Sequence, residues 1–180
     1  IPVPENYGGM EMGFVSTMLV CDYISGATGS LSTAFGAHTG IGILPILLYG
    51  TEPQKQEYLP KLASGEWFAS YCLTEPGAGS DANSGKTKAI LSEDGTHYEI
   101  TGQKMWISNA GFASLFIVFA RIENDKNITG FIVPLRENNG IELGEEEKKL
   151  GIHASSTRQV FFNKTKVPIE NMLGQRNGGF

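Results

Sequence analysis

Between Leu73 and Ala89 the chain reads LTEPGAGSDANSGKTKA, a glycine- and hydroxyl-rich stretch that nearly fits two phosphate-binding fingerprints at once. Gly77, Gly79 and Ala82 satisfy G-x-G-x-x-A after the apolar run FASYCL. A dinucleotide turn must lead straight into a helix, however, and NSGKTKAIL lacks helical periodicity. Gly85-Lys86-Thr87 resembles the end of a phosphate loop, yet five residues separate Gly79 from Gly85 instead of four, and Lys86 opens a strand pattern. Both fingerprints fail on context. What survives is composition: Gly77-Ala78-Gly79-Ser80 lets backbone N–H groups approach an anion closely. Taken alone, EPGAGSD is equally an ordinary Pro-Gly turn between a strand and a linker. Its company matters, because Tyr71 and Thr74 lie just upstream and a second strand pattern carries Trp106 and Ser108. An indole wall, hydroxyls for a ring edge and an anion-binding bend together suit a flavin.

These residues need elements to hold them. The 180 residues, 41% apolar, can bury one respectable core or two small ones, and a net charge of -5 offers no field for a nucleic acid backbone. Apolar residues recur at helical spacing over Met12–Ile24, Ser30–Tyr49 and Pro53–Ala63. The third helix starts at Thr51 with a capping box completed by Gln54, and ASG stops it. After Trp67 the pattern shortens to strands: WFASYCL, KTKAIL, HYEITG, KMWIS, LFIVFA, GFIVPL and RQVFF. Asp94-Gly95 and Asn139-Gly140 are the turn signals between them. The expected fold class is α+β, a helical N-terminal segment feeding a mostly antiparallel β-barrel or two-sheet domain. Only Ile41–Tyr49 comes near a membrane segment, so no span is expected. Cys21 and Cys72 read as free buried thiols, and the isolated His97 and His153 predict no metal site. Trp67 and Phe68 are expected in the core, and EEEKK at Glu145–Lys149 reads as a solvated charge run.

Three separated motifs, YCLTEPGAGSD at Tyr71–Asp81, GQKMWISNAG at Gly102–Gly111 and GTEPQKQEYLPKLASGEW at Gly50–Trp67, resemble the acyl-CoA dehydrogenases, flavoenzymes that oxidise acyl-CoA thioesters. KLGIHASST and VPIENMLG add to the resemblance, which covers essentially the whole chain, and the wording is similar to the branch containing very-long-chain enzymes. The resemblance implies the end of an N-terminal helical domain at 1–66, a middle β-domain at 67–175 and a link at 176–180 to a C-terminal helical domain that is absent here. It implies FAD as cofactor, with Tyr71, Cys72, Leu73, Thr74, Gly77, Ala78, Gly79 and Ser80 along the flavin and Trp106, Ile107 and Ser108 flanking it. Thr74 and backbone amides would bond the pyrimidine side, Ser108 would bond near N5 in place of the Thr of some relatives, and Ser80 would also meet the thioester substrate.

The implied reaction removes an α-proton with a carboxylate while a β-hydride passes to the flavin, giving 2-enoyl-CoA. In the family the base is a Glu of the C-terminal domain, so none of the acids here is assigned to catalysis, and Glu75 beside Pro76 is read as shaping its turn. The chain opens on IPVPENYGG without Met and reads as a piece of something longer, expected to lack turnover and to bind flavin weakly by itself. Implied partners are acyl-CoA, an electron-transfer flavoprotein and further copies of the full-length chain, in a bacterial cytoplasm or the mitochondrial matrix. A flavin-dependent oxidase or monooxygenase, or a non-enzymatic assembly protein on the same fold, are the alternatives. His38 is expected to be packed and hydrogen-bonded, with contact to a thioester or pantetheine as the other reading. The small-residue helix SLSTAFGAHTGIGILP either lines an acyl-chain channel or simply permits close helix packing.

Overall fold

Thr51 opens the most sharply defined helix, α4 (Glu52–Ser64 in chain order, after three described below). Its hydroxyl accepts the Gln54 N–H at 3.4 Å while the Gln54 amide oxygen accepts the Thr51 N–H at 2.9 Å, closing the expected capping box. Gly65 ends the helix at φ 78°, in the left-handed region. The computed structural model describes residues 1–179; Phe180, the last residue of the expected 176–180 link, lies outside the described residues.

Upstream of α4, α1 (Phe14–Ala27) buries no side chain, and α2 (Gly29–Gly36) runs through a π-helical stretch (Ala37–Ile43) into α3 (Leu44–Tyr49). The resulting 21-residue run, Gly29–Tyr49, is long and apolar enough to cross a membrane by length and composition alone. That corrects the expectation that only Ile41–Tyr49 comes near. His38, Gly42, Ile43 and Ile46 of this run are buried where it meets α4 and the first strand, β1 (Ala69–Cys72). A Cβ added to Gly42 would fall 2.7 Å from the Ala69 Cβ, so the helix approaches the strand more closely than any side chain allows.

Seven further strands follow: β2 (Lys88–Leu91), β3 (His97–Ser108), β4 (Leu115–Ile122), β5 (Thr129–Pro134), β6 (Ile141–Glu146), β7 (Thr157–Pro168) and β8 (Met172–Leu173). They pair in the order β6-β7-β3-β2-β4-β5-β8, with β1 added beside β4. Most pairs are antiparallel, as expected, but β1 and β2 both pair with β4 in parallel. HYEITG and KMWIS, read as two strands, form the single strand β3. Bulges break its alternation: between Lys104 and Ile107 it takes three steps while β7 takes two, from Val160 to Arg158. The β6 strand bulges opposite the same two β7 residues, between Leu143 and Glu146. The sequence reading had only a turn and a charge run there.

Two cores form. One gathers Tyr98, Ile100 and Ile107 of β3 with Phe116 and Val118 of β4 and Val160 and Phe162 of β7. The other joins Ile43, Ile46, Tyr58, Leu59 and Leu62 of the helices to Leu115, Ile117 and Ile132. Trp67 packs at the edge of this second core, with Lys61 Nζ 4.3 Å from its ring. Phe68 does not: it is 39% exposed, which corrects its expected place in the core.

The close approach at Gly42 predicts a contrast between two glycines of the same helical stretch. Gly42→Ala should cost roughly 1–3 kcal/mol in denaturant unfolding through overpacking against Ala69. At Gly40 an added Cβ meets nothing within 4 Å, so Gly40→Ala should leave stability unchanged or raise it by up to ~1 kcal/mol. Equal losses at both positions would show that the contact is not tight.

Candidate functional site

The chain leaves β1 at Leu73 and turns at once. Glu75 and Ala78 exchange both backbone hydrogen bonds at 3.1 Å, closing a tight turn over Pro76 and Gly77, and a single 3-10 turn at Ala82–Ser84 leads on to β2. No helix follows, so neither the dinucleotide nor the phosphate-loop geometry is built. Pro76, Gly77, Gly79 and Ser80 are exposed along this arc. Neither Gly77 nor Gly79 has a positive φ, and a Cβ added to either would meet nothing within 4 Å. The fold itself gives no reason for glycine there.

β3 runs alongside this arc. The Thr74 carbonyl accepts the Met105 N–H at 2.9 Å, and the buried Ser70 hydroxyl donates to the Ser108 carbonyl at 2.8 Å. Trp106 is therefore next to the arc, as the flavin reading needs. It sits in the bulge at φ 56°, a strained value for a bulky residue, and its side chain is 62% exposed. Among the described residues, the hydroxyls of Thr74, Ser80 and Ser108 have no hydrogen-bond partner, so they are free for a ligand.

Not every expected residue presents a side chain on this side. Tyr71 and Leu73 pack toward the helical core, with the Tyr71 ring 5.0 Å from that of Phe119, so the aromatic plane here comes from Trp106 and not from Tyr71. Cys72, Ala78 and Ile107 are buried and offer a ligand only their main chain. Burial also pushes the Cys72 thiol up to about 12, which makes it inert.

Sequence reasoning missed Lys104. It is 1% exposed, and its Nζ donates to Glu75 Oε1 at 2.8 Å and to the Leu73 carbonyl at 3.1 Å. The same carboxylate accepts the Lys86 N–H at 2.5 Å and the Thr87 N–H at 3.0 Å. Burial pushes the Glu75 carboxyl up, but the hydrogen bonds from Lys104, Thr87 and Lys86 outweigh it and hold the group below the ordinary carboxylate range. Burial draws Lys104 below its own ordinary range, against the pull of Glu75. Glu75 thus shapes its turn, as read from the sequence, and its partner was hidden because lysine ordinarily marks surface. At the far end of the arc Arg121 donates to the Asn83 carbonyl, and Asn83 Oδ1 accepts the Ile128 N–H at 3.1 Å.

The EEEKK run is solvated, as read, with none of its residues buried, but two of its charges are also engaged. Glu146 accepts from Arg158 Nε at 2.8 Å, Ser156 at 2.5 Å and the Thr157 N–H at 2.9 Å. Partial burial raises its carboxyl, but these bonds hold it down at about 2. Lys149 donates to the Ser155 carbonyl and to Thr157 Oγ1. The charges pin the excursion between β6 and β7 to its own ends, and through Ser156 to Asn109 and Gly111 beyond β3.

A cavity of about 360 Å³ opens between α2 and the β domain, lined mainly by Leu31, Ala34 and Phe35 on the helix side and Phe68 and Phe112 opposite. Phe68 and Phe112 meet edge to face, 5.3 Å between centroids. His38 stands at its inner end with both ring nitrogens committed: Nδ1 accepts the Ala69 N–H at 3.1 Å, and Nε2 donates to the Leu62 carbonyl at 3.0 Å. It is the packed, hydrogen-bonded residue expected, pinning α4 and β1 to the helical run. The small-residue helix packs closely at Gly42 and contributes Ala34 to the wall of this cavity.

Comparison with known proteins places this geometry. Residues 1–66 match the family model "Acyl-CoA dehydrogenase, N-terminal domain" and residues 70–165 match "Acyl-CoA dehydrogenase, middle domain". A probable acyl-CoA dehydrogenase of Bacillus subtilis (strain 168) is 51% identical over 98% of this chain and 29% of its own length. The mitochondrial very long-chain specific acyl-CoA dehydrogenase of Homo sapiens is 43% identical over 100% of this chain and 28% of its own. A crystal structure of an acyl-CoA dehydrogenase complexed with FAD from Bacillus anthracis superimposes with a TM-score of 0.93 at 48% identity, over 98% of this chain and 30% of that one. The chain thus spans under a third of the length of these relatives.

His38 carries a pH prediction. Burial lowers its pKa from 6.5, so the neutral ring stabilises the fold fully above that value, and stability declines as pH falls below it. The melting temperature should drop between pH 7 and 5, and His38→Asn should flatten that slope while lowering stability at pH 7. An unchanged slope in the variant would clear His38 of the effect.

Proposed function

The chain belongs to the acyl-CoA dehydrogenase family, and from that premise we propose that it forms one wall of the site at which the whole protein oxidises acyl-CoA thioesters to 2-enoyl-CoA with FAD. The observation that carries this reading is the exposed, strained Trp106 beside a glycine arc open to an outside group. The indole provides a flat face for the flavin ring, the free hydroxyls of Thr74 and Ser108 suit its polar edge, and the N–H groups of Gly77 and Gly79 suit its anionic parts. FAD, when bound, supplies the acceptor for the hydride lost from the β-carbon.

The remaining tasks fall to the polypeptide. An α-proton of a thioester is weakly acidic, so a carboxylate must take it while donors hold the carbonyl oxygen and water is kept out. Glu75 is engaged by Lys104 and two backbone N–H groups, and Glu146 by Arg158, Ser156 and Thr157, so neither has a free oxygen placed for that work. In keeping with the family resemblance, the base is read as a Glu from a part of the whole protein beyond these residues. The apolar cavity between α2 and the β domain is read as space for the acyl tail, with Ala34 and Phe35 on one wall. Transfer of electrons to an electron-transfer flavoprotein, assembly into a homo-oligomer and residence in a bacterial cytoplasm or the mitochondrial matrix belong to the same reading.

The direct experiment adds acyl-CoA of several chain lengths, without oxygen, to the full-length flavin-loaded protein. The yellow absorbance should bleach, and colour that persists with every length overturns dehydrogenation. Variants at two positions refine it. Trp106→Ala should weaken FAD retention by about tenfold, with Trp106→Phe intermediate, as loss of an aromatic stack predicts. Ala34→Phe should slow bleaching by long chains more than by short ones; equal slowing would remove the cavity from the substrate path.

A further inference from the structure

The Lys104–Glu75 ion pair is costly to bury, and residues of similar volume without charge would serve stability as well. Its geometry suggests what the charges are for. One carboxylate gathers the end of the arc's outbound limb through Lys104, which also holds the Leu73 carbonyl, and the start of its return limb through the N–H groups of Lys86 and Thr87. Lys104 lies two residues before Trp106 and one before Met105, whose N–H holds the Thr74 carbonyl. The surroundings are shaped to the pair as well: a Cβ on Gly85 would fall 2.9 Å from Glu75 Oε1, and one on Gly102 would fall 2.4 Å from Thr87 Oγ1.

We infer that Lys104 and Glu75 are positioning residues that fix both limbs of the glycine arc against the strand bearing Trp106, so that the flavin wall is already formed before the cofactor binds. The inference rests on the reading of the arc as a flavin wall. Neither residue need touch the cofactor. An ion pair alone is insufficient for the role, because two backbone N–H groups also require an acceptor at Glu75. Restoring neutrality without that acceptor geometry should therefore restore part of the stability but not the position.

The test uses the full-length protein and two variants. Lys104→Met leaves Glu75 buried without its cation and is expected to destabilise the fold strongly. If it fails to fold, the double variant Glu75→Gln with Lys104→Met carries the test, since it removes both charges and keeps the volumes. Amide hydrogen exchange is measured on the flavin-free protein, followed by the FAD dissociation constant and the flavin midpoint potential. In the double variant, melting should recover from the Lys104→Met value without reaching that of the parent, because a side-chain amide has one acceptor oxygen for two backbone N–H groups, while exchange at the Lys86 and Thr87 amides accelerates by about tenfold or more. FAD binding should weaken roughly 10- to 100-fold, the loss usual when groups that hold contact residues are removed. The midpoint potential should shift in the protein that still binds. Parent-like exchange at both amides overturns the clamp. Faster exchange with FAD affinity and potential unchanged upholds the clamp but sinks the flavin reading of the arc, so the two failures are told apart.

Discussion

β4 sends Phe116, Val118, Ala120 and Ile122 into one core and Leu115, Ile117 and Phe119 into the other, so it is stable only where both faces are covered. That requirement joins the helices to the sheet. Ile46, Tyr58, Leu59 and Leu62 cover one face, while β3 and β7 close over the other. β1 inherits its place from this arrangement, running parallel to β4 from Ala69 opposite Leu115 to Cys72 opposite Val118. With Ser70 tied to Ser108, the chain leaves β1 directly beside β3, and the arc starts where Thr74 meets Met105.

Much of this was legible in the sequence, for identifiable reasons. The capping box at Thr51 and Gln54, the helix stop at Gly65 and the Asp94-Gly95 turn are local devices whose letters nearly fix their geometry. The nearness of Trp106 to Thr74 was also inferable, since Thr74 follows one strand pattern and Trp106 lies in another of the same small domain. What escaped reading depends on contacts distant in sequence. The bulge between Lys104 and Ile107 breaks strict alternation, so β3 looked like two strands. Lys104 gave no signal, because only the fold brings it to Glu75, and Glu146, exposed as read, meets Arg158 only through the pairing of β6 with β7. Tyr71 could not be assigned a face from its neighbours alone; its contact with Phe119 settles that.

Glycines in and around the arc divide into two kinds. Gly85 and Gly102 make room for the chain itself, because side chains there would collide with Glu75 and Thr87. Gly77 and Gly79 make room for nothing in the chain and adopt no conformation closed to other residues. The site is thus tight behind and open in front. The exposed indole at a strained backbone angle fits the same division, since strain of about 1–3 kcal/mol persists only where the surrounding structure over-determines it. Lys104 and Ile107, buried on either side of the bulge, supply that surrounding structure.

The parallel pairing of β1 with β4 has a bearing on the order in which the molecule comes together. β2 and β3 close locally through a short turn, whereas β1 must wait for β4, which lies beyond both of them in the chain. Pairings across such long intervening segments bear the greater closure entropy and form late. During synthesis, then, the segment from Leu73 to Thr87 emerges before Lys104 and Met105, which hold it, and before the β4 residues that complete the pairing of β1. A glycine-rich stretch would pass that interval as an unstructured tether, and cofactor capture would be the last event of maturation.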